Sequence, residues 1–364
     1  MPDDHHAHTG PNLTFFGVGC LMFRPVKAVS TFDEWVGYVS KGLNSLAAIT
    51  NLHLDFASDT ELVGPPSAWY PDSGQISFDL TIPVRLQEVL YPGAHLRTNT
   101  ETFHVDARHQ FYGPVVFITC RGSSSLETEP AHSVIVVREF LQKELRKADE
   151  PLALTTVGPS PFHVNMILCA NPDLKEGPPV TANLVPDKAY NEVYFTYQSD
   201  AFESINDALL YVFSELEDEF SLFYHFVRQR NERLHAASRV SEQADALISL
   251  HRQRGLRGKL RRVFLTSARA RDLVLDVISA ESAQRMQQIE GAVELQDLYE
   301  AANWNLFRPV LERQLAEDFS PVLRSARDTA TVLEGVRSIE FQVVVVAAST
   351  LLGATAGAIA ALLT

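Results

Sequence analysis

The fifty residues from Ala201 to Leu250 contain neither glycine nor proline, and their apolar side chains, among them Leu209, Phe213, Leu216, Phe220 and Val227, recur at helical spacing. A segment with nothing to stop a helix predicts one of many turns, or two closely joined ones. Ser199 or Asp200 is its natural N-cap, and Glu203 and Asp207 complement the positive end of its dipole.

Before that point the pattern is different. LTFFGVGCLMF (13–23), ISFDLTIPV (76–84), TFHVDA (102–107), PVVFITC (114–120), FHVNMILCA (162–170) and NEVYFTYQ (191–198) are rich in β-branched and aromatic residues and bounded by turn formers, as strands are. Helices are predicted over 32–49 and 133–148, and prolines at 65, 66, 71, 83 and 92 punctuate the stretch between. The chain therefore reads as α+β. Its expected parts are a polar, disordered leader over 1–12, a mixed α/β cytoplasmic domain over 13–200, a helical region over 201–320, a stalk helix over 321–340 and a transmembrane helix over 341–364.

The charge balance narrows the partners. A net charge of −14 over 364 residues argues against nucleic acid, and residues 1–200 carry most of it, with 13 Lys+Arg against 23 Asp+Glu. Cys20, Cys120 and Cys169 are odd in number and lie in apolar runs, which suits free thiols in a reducing compartment. The leader MPDDHHAHTGPN has no basic region followed by an apolar one, so no secretory signal is expected, while His5, His6 and His8 within it have metal-binding side chains.

Two charged clusters follow on the helical part. Clustered carboxylates suit hard cations, so Glu215 and Glu219, four residues apart in SELEDEF, are candidate ligands of a divalent cation; a solvated helix face is the other reading. In HRQRGLRGKLRRVFLTSARAR, Arg252, Arg254, Arg257, Lys259, Arg261, Arg262, Arg269 and Arg271 occur without one acidic residue. They suit phosphates, anionic lipid head groups or a nucleotide, or else an acidic helix of the same chain. RGLRGK lacks the spacing of a phosphate-binding loop.

Ser320 and Pro321 then open a helix with no stop before the end of the sequence. Val322, Ala326, Thr329, Leu333 and Val336, at alternating steps of four and three, predict the seam of a coiled coil or bundle. After Glu340 no charged residue occurs, and bilayer spans need about 20 apolar residues, so 341–364 is expected to cross a membrane and leave the rest in the cytoplasm. Within it Ser349, Gly353, Gly357 and Ala361 form a ladder of small residues, the pattern by which membrane helices pack against copies of themselves.

An α/β domain, charged intermediate helices, a very long stalk and direct entry into a membrane span resemble, in order and approximate length from about residue 100 to 364, the CorA-type divalent-cation transporters. The family's Gly-Met-Asn signature and second membrane helix have no counterpart, so the resemblance implies a layout and an ion-linked role and carries no site residue. For enzyme chemistry the candidates are His104 and Asp106, which would share one strand face, with His109 following, and His163 beyond them; no established catalytic motif is present.

The sequence thus supports a homo-oligomeric, C-terminally anchored sensor of a small ligand or ion, of channel or pore type. The alternative is an enzyme or binding module tethered to a membrane.

Overall fold

The computed structural model describes residues 13–64, 69–90, 100–122, 130–148, 152–156, 164–171, 177–186 and 191–363, the side chains of 256 and 351–363 excepted. The leader and His163 lie outside these residues. The chain divides into two compact units, Met1–Val227 with Leu295–Glu312, and Arg228–Glu294 with Arg313–Thr364.

The first unit is built on β1 (Leu13–Gly19), β2 (Leu21–Pro25), α1 (Phe32–Asn44), β3 (Ile49–Asp55), β4 (Leu62–Val63), β5 (Tyr70–Pro71), β6 (Gly74–Thr81), α2 (Val84–Leu90), β7 (Thr102–His109) and β8 (Val115–Arg121). It continues through α3 (Pro130–Glu144), β9 (Leu152–Thr156), β10 (Val164–Asn171), β11 (Val180–Val185) and β12 (Asn191–Gln198) to the start of α4 (Ile205–Arg252). Eight strands form one mixed sheet in the order β11-β12-β10-β1-β8-β7-β6-β3. Among the described residues of this sheet only the β10–β12 pairing is parallel.

Alternation along the strands sends side chains to two buried faces. On one, Phe15, Phe78, Phe103, Val105 and Ile118 pack with Trp35 and Val39 of α1 and Val137 and Leu141 of α3. The side chain of Thr31 accepts from the backbone N–H of Glu34, while the Glu34 carboxylate accepts from that of Ser30, so sequence chemistry fixes where α1 begins. Gly17 sets how near α3 lies to the sheet: a Cβ there would stand 2.4 Å from the carbonyl oxygen of Pro130. On the other face, Phe16, Phe117 and Phe195 meet Phe213 and Phe220 of α4 and Trp304, with Phe117 and Phe213 stacked at 4.1 Å.

The second unit takes the rest of α4, most of α5 (Gly255–Ala301), the end of α6 (Arg308–Ala316) and α7 (Ser320–Leu363). Cross-links at Gln243–Asp276 and His251–Thr266 show α4 and α5 running antiparallel, and those at Arg327–Glu281 and Arg262–Glu340 set α7 antiparallel to α5. Their common core is narrow and rich in alanine, with Ala237, Val240, Ala244, Leu247, Leu273, Val277, Leu323, Ala326 and Ala330. Asp318, rather than Ser320, secures the start of α7, its carboxylate accepting from the Ser320 N–H at 2.8 Å.

The expected transmembrane helix over 341–364 is corrected. Among the described residues no helix is long and apolar enough to cross a membrane. α7 itself is helical to Leu363.

Candidate functional site

The polar residues of the sheet gather on its second face. Pairing places Asp79, His104 and Thr119 in one row and Ser77, Asp106 and Phe117 in the next. The Asp79 carboxylate lies 2.9 Å from His104 Nδ1 and 3.1 Å from Arg121 Nη2, and Asn51 donates to its other oxygen at 2.8 Å. Burial pushes the Asp79 carboxyl up, but the hydrogen bonds from Asn51 and His104 and the charge of Arg121 outweigh it and leave the group below its ordinary value.

Asp106 belongs to a different network. It accepts from Gln75 Nε2 at 2.7 Å and from Arg108 Nε at 3.3 Å, and Arg108 donates to Glu217 of α4 at 2.7 Å while covering the rings of Phe117 and Phe213. Gln110 donates to the second Glu217 oxygen at 3.0 Å. These bonds fasten α4 to the sheet. His109 faces the opposite side, edge-on to Trp35 and beside Phe56, and burial pulls its pKa down to about 4.

The three candidates His104, Asp106 and His109 are therefore not brought together. Of the two hydroxyl residues in the His104 row, Thr119 is buried, while Thr50, across from Asp79 on β3, is exposed. The three cysteines are buried and none is in a disulfide, and burial pushes the Cys120 thiol up to about 12, away from the reactive thiolate. The partners Asp79, Arg121 and Arg108 stand in the sequence as single polar residues in or beside predicted strands, and Glu217 as one of the acidic run of α4; pairing of strands and packing of α4 decide which of them meet.

The acidic run of α4 is divided among protein donors. Glu215 accepts from Asn303 at 2.7 Å, while Glu219 accepts from the Tyr299 hydroxyl and from the backbone N–H of Phe307. Burial pushes the Glu219 carboxyl up to about 7 against these two hydrogen bonds. Among the described residues no group of three or more His, Cys, Asp or Glu is placed to hold a metal ion. A cleft of about 310 Å³ on this unit is lined by Arg24, Lys27, Val29, Trp35 and Trp69, a cationic and aromatic setting for a small ligand.

In the second unit, the basic segment forms the α4–α5 turn. Gly255, at φ +87°, makes the reversal, and a Cβ on Gly258 would stand 2.6 Å from the Gln253 carbonyl oxygen. Arg262 turns inward: it is buried, forks onto Glu340 of α7 at 2.8 and 2.9 Å, and caps the end of α4 through the Gln253 carbonyl at 2.5 Å. Arg252, Arg254, Arg257, Lys259, Arg261, Arg269 and Arg271 are exposed, with Arg271 near Asp272.

Along α7 the predicted seam separates into two stripes. Ala326 is buried and Leu333 half-buried against the other helices, whereas Val322 and Val336 face outward. The outward stripe continues as Val332, Ile339, Val343 and Val346, each more than 60% exposed. Ser349 is also exposed and its hydroxyl returns to the Val345 carbonyl at 2.8 Å; the side chains of the remaining ladder positions, Gly353, Gly357 and Ala361, lie outside the described ones.

Set beside family models, curated proteins and solved structures, the chain has no match among any of them.

Proposed function

We propose that this chain is a homo-oligomeric assembly protein, joined through α7, whose α/β unit serves as its ligand-sensing part. The observation that carries this reading is the outward stripe of α7. Val322, Ser325, Thr329, Val332, Val336, Ile339, Val343 and Val346 follow each other at steps of three and four, with no charge at any position. That is a heptad seam, and a copy of the same helix covers it in kind. Its length, from Val322 to Val346, is about 36 Å at 1.5 Å per residue.

The seam also bears on stoichiometry. Taking Val322 as an a position puts Val332, Ile339 and Val346 at d, where β-branched side chains favour assemblies of more than two helices. Ligand sensing is assigned to the Trp35–Trp69 cleft, whose arginine and lysine suit an anionic or aromatic small molecule. The CorA-type resemblance enters only as a shared order of parts. Ion conduction forms no part of the proposal.

Light scattering coupled to gel filtration tests the assembly. The full chain is expected at the mass of three or more copies, and Val332→Gln with Ile339→Gln is expected to reduce it to a monomer with unchanged circular dichroism. A monomeric parent, or a double variant of the parent's mass, overturns the proposal.

A second reading rests on the Asp79–His104–Arg121 cluster. A carboxylate, an imidazole and a half-exposed guanidinium beside one another suit a binding module for a small anion. It would be favoured if phosphate or a carboxylate ligand protected the α/β unit thermally and Arg121→Gln abolished that protection.

A further inference from the structure

The tip of the α4–α5 hairpin combines two properties that the assembly reading does not use. One is charge. From Ser249 to Arg271 there is no acidic residue, and Arg252, Arg254, Arg257, Lys259 and Arg261 all stand exposed within ten positions. The acidic residues that α7 brings here are engaged: Glu340 is taken by Arg262, and Glu334 accepts from Arg337 at 2.9 Å. Lys259 also lies in the field of Glu340. A chain of net charge −14 thus keeps a concentrated cationic end.

The second property is exposed apolar surface among those charges. Phe264 is 72% exposed and Leu260 50%, four residues apart on one side of α5, with Leu265 beside them. The tip is tied to the level at which the uncharged run of α7 begins, through Arg262 on Glu340 and through Arg337, which donates to the Val263 carbonyl at 3.0 Å. From Phe341 to Thr350 every residue is exposed. A partner helix on one seam leaves the other sides of those turns uncovered.

We infer that this end of the second unit docks on an anionic lipid surface. The basic side chains would lie among the head groups, while Phe264, Leu260 and the first uncharged turns of α7 enter the boundary with the acyl chains. Charge alone would suit a polynucleotide or an acidic protein face equally well. The bare phenylalanine and leucine between the arginines are the signature of an interfacial contact, and the exposed uncharged turns of α7 lie at the same level. The contact lies on the bilayer surface and needs no spanning segment.

Co-sedimentation of the full chain with vesicles tests this, using phosphatidylcholine alone and phosphatidylcholine mixed with phosphatidylglycerol. The two compositions separate the tip from any general affinity of the apolar α7 end. Binding is expected only, or far more strongly, on the anionic vesicles, and it should weaken as salt rises. Replacing Arg254, Arg257, Lys259 and Arg261 by Gln should lower the partition coefficient by about fivefold per charge removed. Phe264→Ser should lower it on the order of tenfold with the charges intact.

Both variants change exposed positions, and unchanged circular dichroism and oligomeric mass would show that fold and assembly survive. Equal binding to both vesicle types, or full binding by the quadruple variant, overturns the inference. So does an effect confined to charge, in which Phe264→Ser binds normally and an oligonucleotide displaces the vesicles.

Discussion

The two units bury apolar surface in contrasting ways. In the first, a sheet with two covered faces encloses large aromatic side chains, and the buried Asp106 and half-buried Arg108 of β7 are tied to α4 through Glu217. In the second, alanines fill a narrow seam between three helices while valines and isoleucine point outward. A surface of that kind is costly to leave in water, and this contrast is why the proposed assembly is placed on the second unit. The first unit is built to hold its own shape.

Core truncation should separate the units most sharply. Phe213 stacks on Phe117 and meets Phe16 edge-on, so Phe213→Ala should cost about 3–5 kcal/mol in denaturant unfolding followed by circular dichroism. Val332→Ala, on the outward stripe, should stay within about 0.5 kcal/mol under conditions that keep the chain monomeric. Similar costs at the two positions would mean that the outward stripe is covered within the monomer, and the contrast would fail.

Gly17→Ala comes next. The added methyl would meet the Pro130 carbonyl oxygen at 2.4 Å and Val134 at 2.7 Å, so α3 must retreat from the sheet, at about 1–3 kcal/mol. Gly335 in α7 has open space around it, and alanine there should stabilise the helix by about 0.5–1 kcal/mol. Opposite signs for the same chemical change would confirm that one unit is closely packed where the other is open; equal signs would argue against it.

The third test is pH. Burial raises the Glu219 carboxyl from 4.5 to about 7, so between those values the folded state holds a proton that the unfolded state releases. Stability from this group is full below pH 4.5, falls as pH rises towards 7 and is then level. Gln at 219 keeps an acceptor for the Phe307 N–H without the charge. Glu219→Gln should therefore unfold with less dependence on pH in this window and gain about 2 kcal/mol on the parent between pH 5 and pH 8. His109 acts in the opposite sense: its neutral form is favoured, and stability is lost as pH falls from 6.5 towards 4. The difference between the two proteins isolates Glu219, and a pH-independent difference would rule out its buried titration.

Much of this architecture was legible in the sequence, and what was not has identifiable causes. NEVYFTYQ is a strand over the predicted residues, and the long segment without glycine or proline is one helix, α4. The run LTFFGVGCLMF, however, contains two strands, because β2 leaves the main sheet after Cys20 and pairs with β9, a partner that apolar continuity cannot reveal. ITNLHLD was missed because its register shifts between Thr50 and His53 and Asn51 adopts φ +54°. The change of pattern near residue 200 marks where strands end; the first turns of α4 still belong to the sheet, through Phe213, Glu217 and Phe220. On α7, steps of three and four fit two interleaved stripes, and only the position of the neighbouring helices separates inward Ala326 from outward Val336. The candidate site was legible as single residues, His104 above all, but its partners Asp79 and Arg121 are set by pairing between strands.

The smallest expected effect concerns that cluster. Asp79 is ionised against His104, Arg121 and Asn51 near the edge of the sheet, where solvent screens it, so Asp79→Asn should cost only about 0.5–1 kcal/mol at neutral pH. Because the folded-state carboxyl lies below its ordinary value of 3.8, its contribution is present above that pH and is lost as pH falls through the folded value. Acid unfolding of the variant should therefore begin from a slightly lower plateau and lose less on the final descent. In the first unit the Arg108–Glu217 pair joins a strand to α4, whereas this one joins neighbouring strands already held by their ladders. If Asp79→Asn proves neutral, the fold has no need of the cluster, and its grouping of carboxylate, imidazole and guanidinium is better explained by a ligand. A cost well above 1 kcal/mol would instead make it part of the same interior bonding as Arg108, leaving the Trp35–Trp69 cleft as the place to look for what the unit binds.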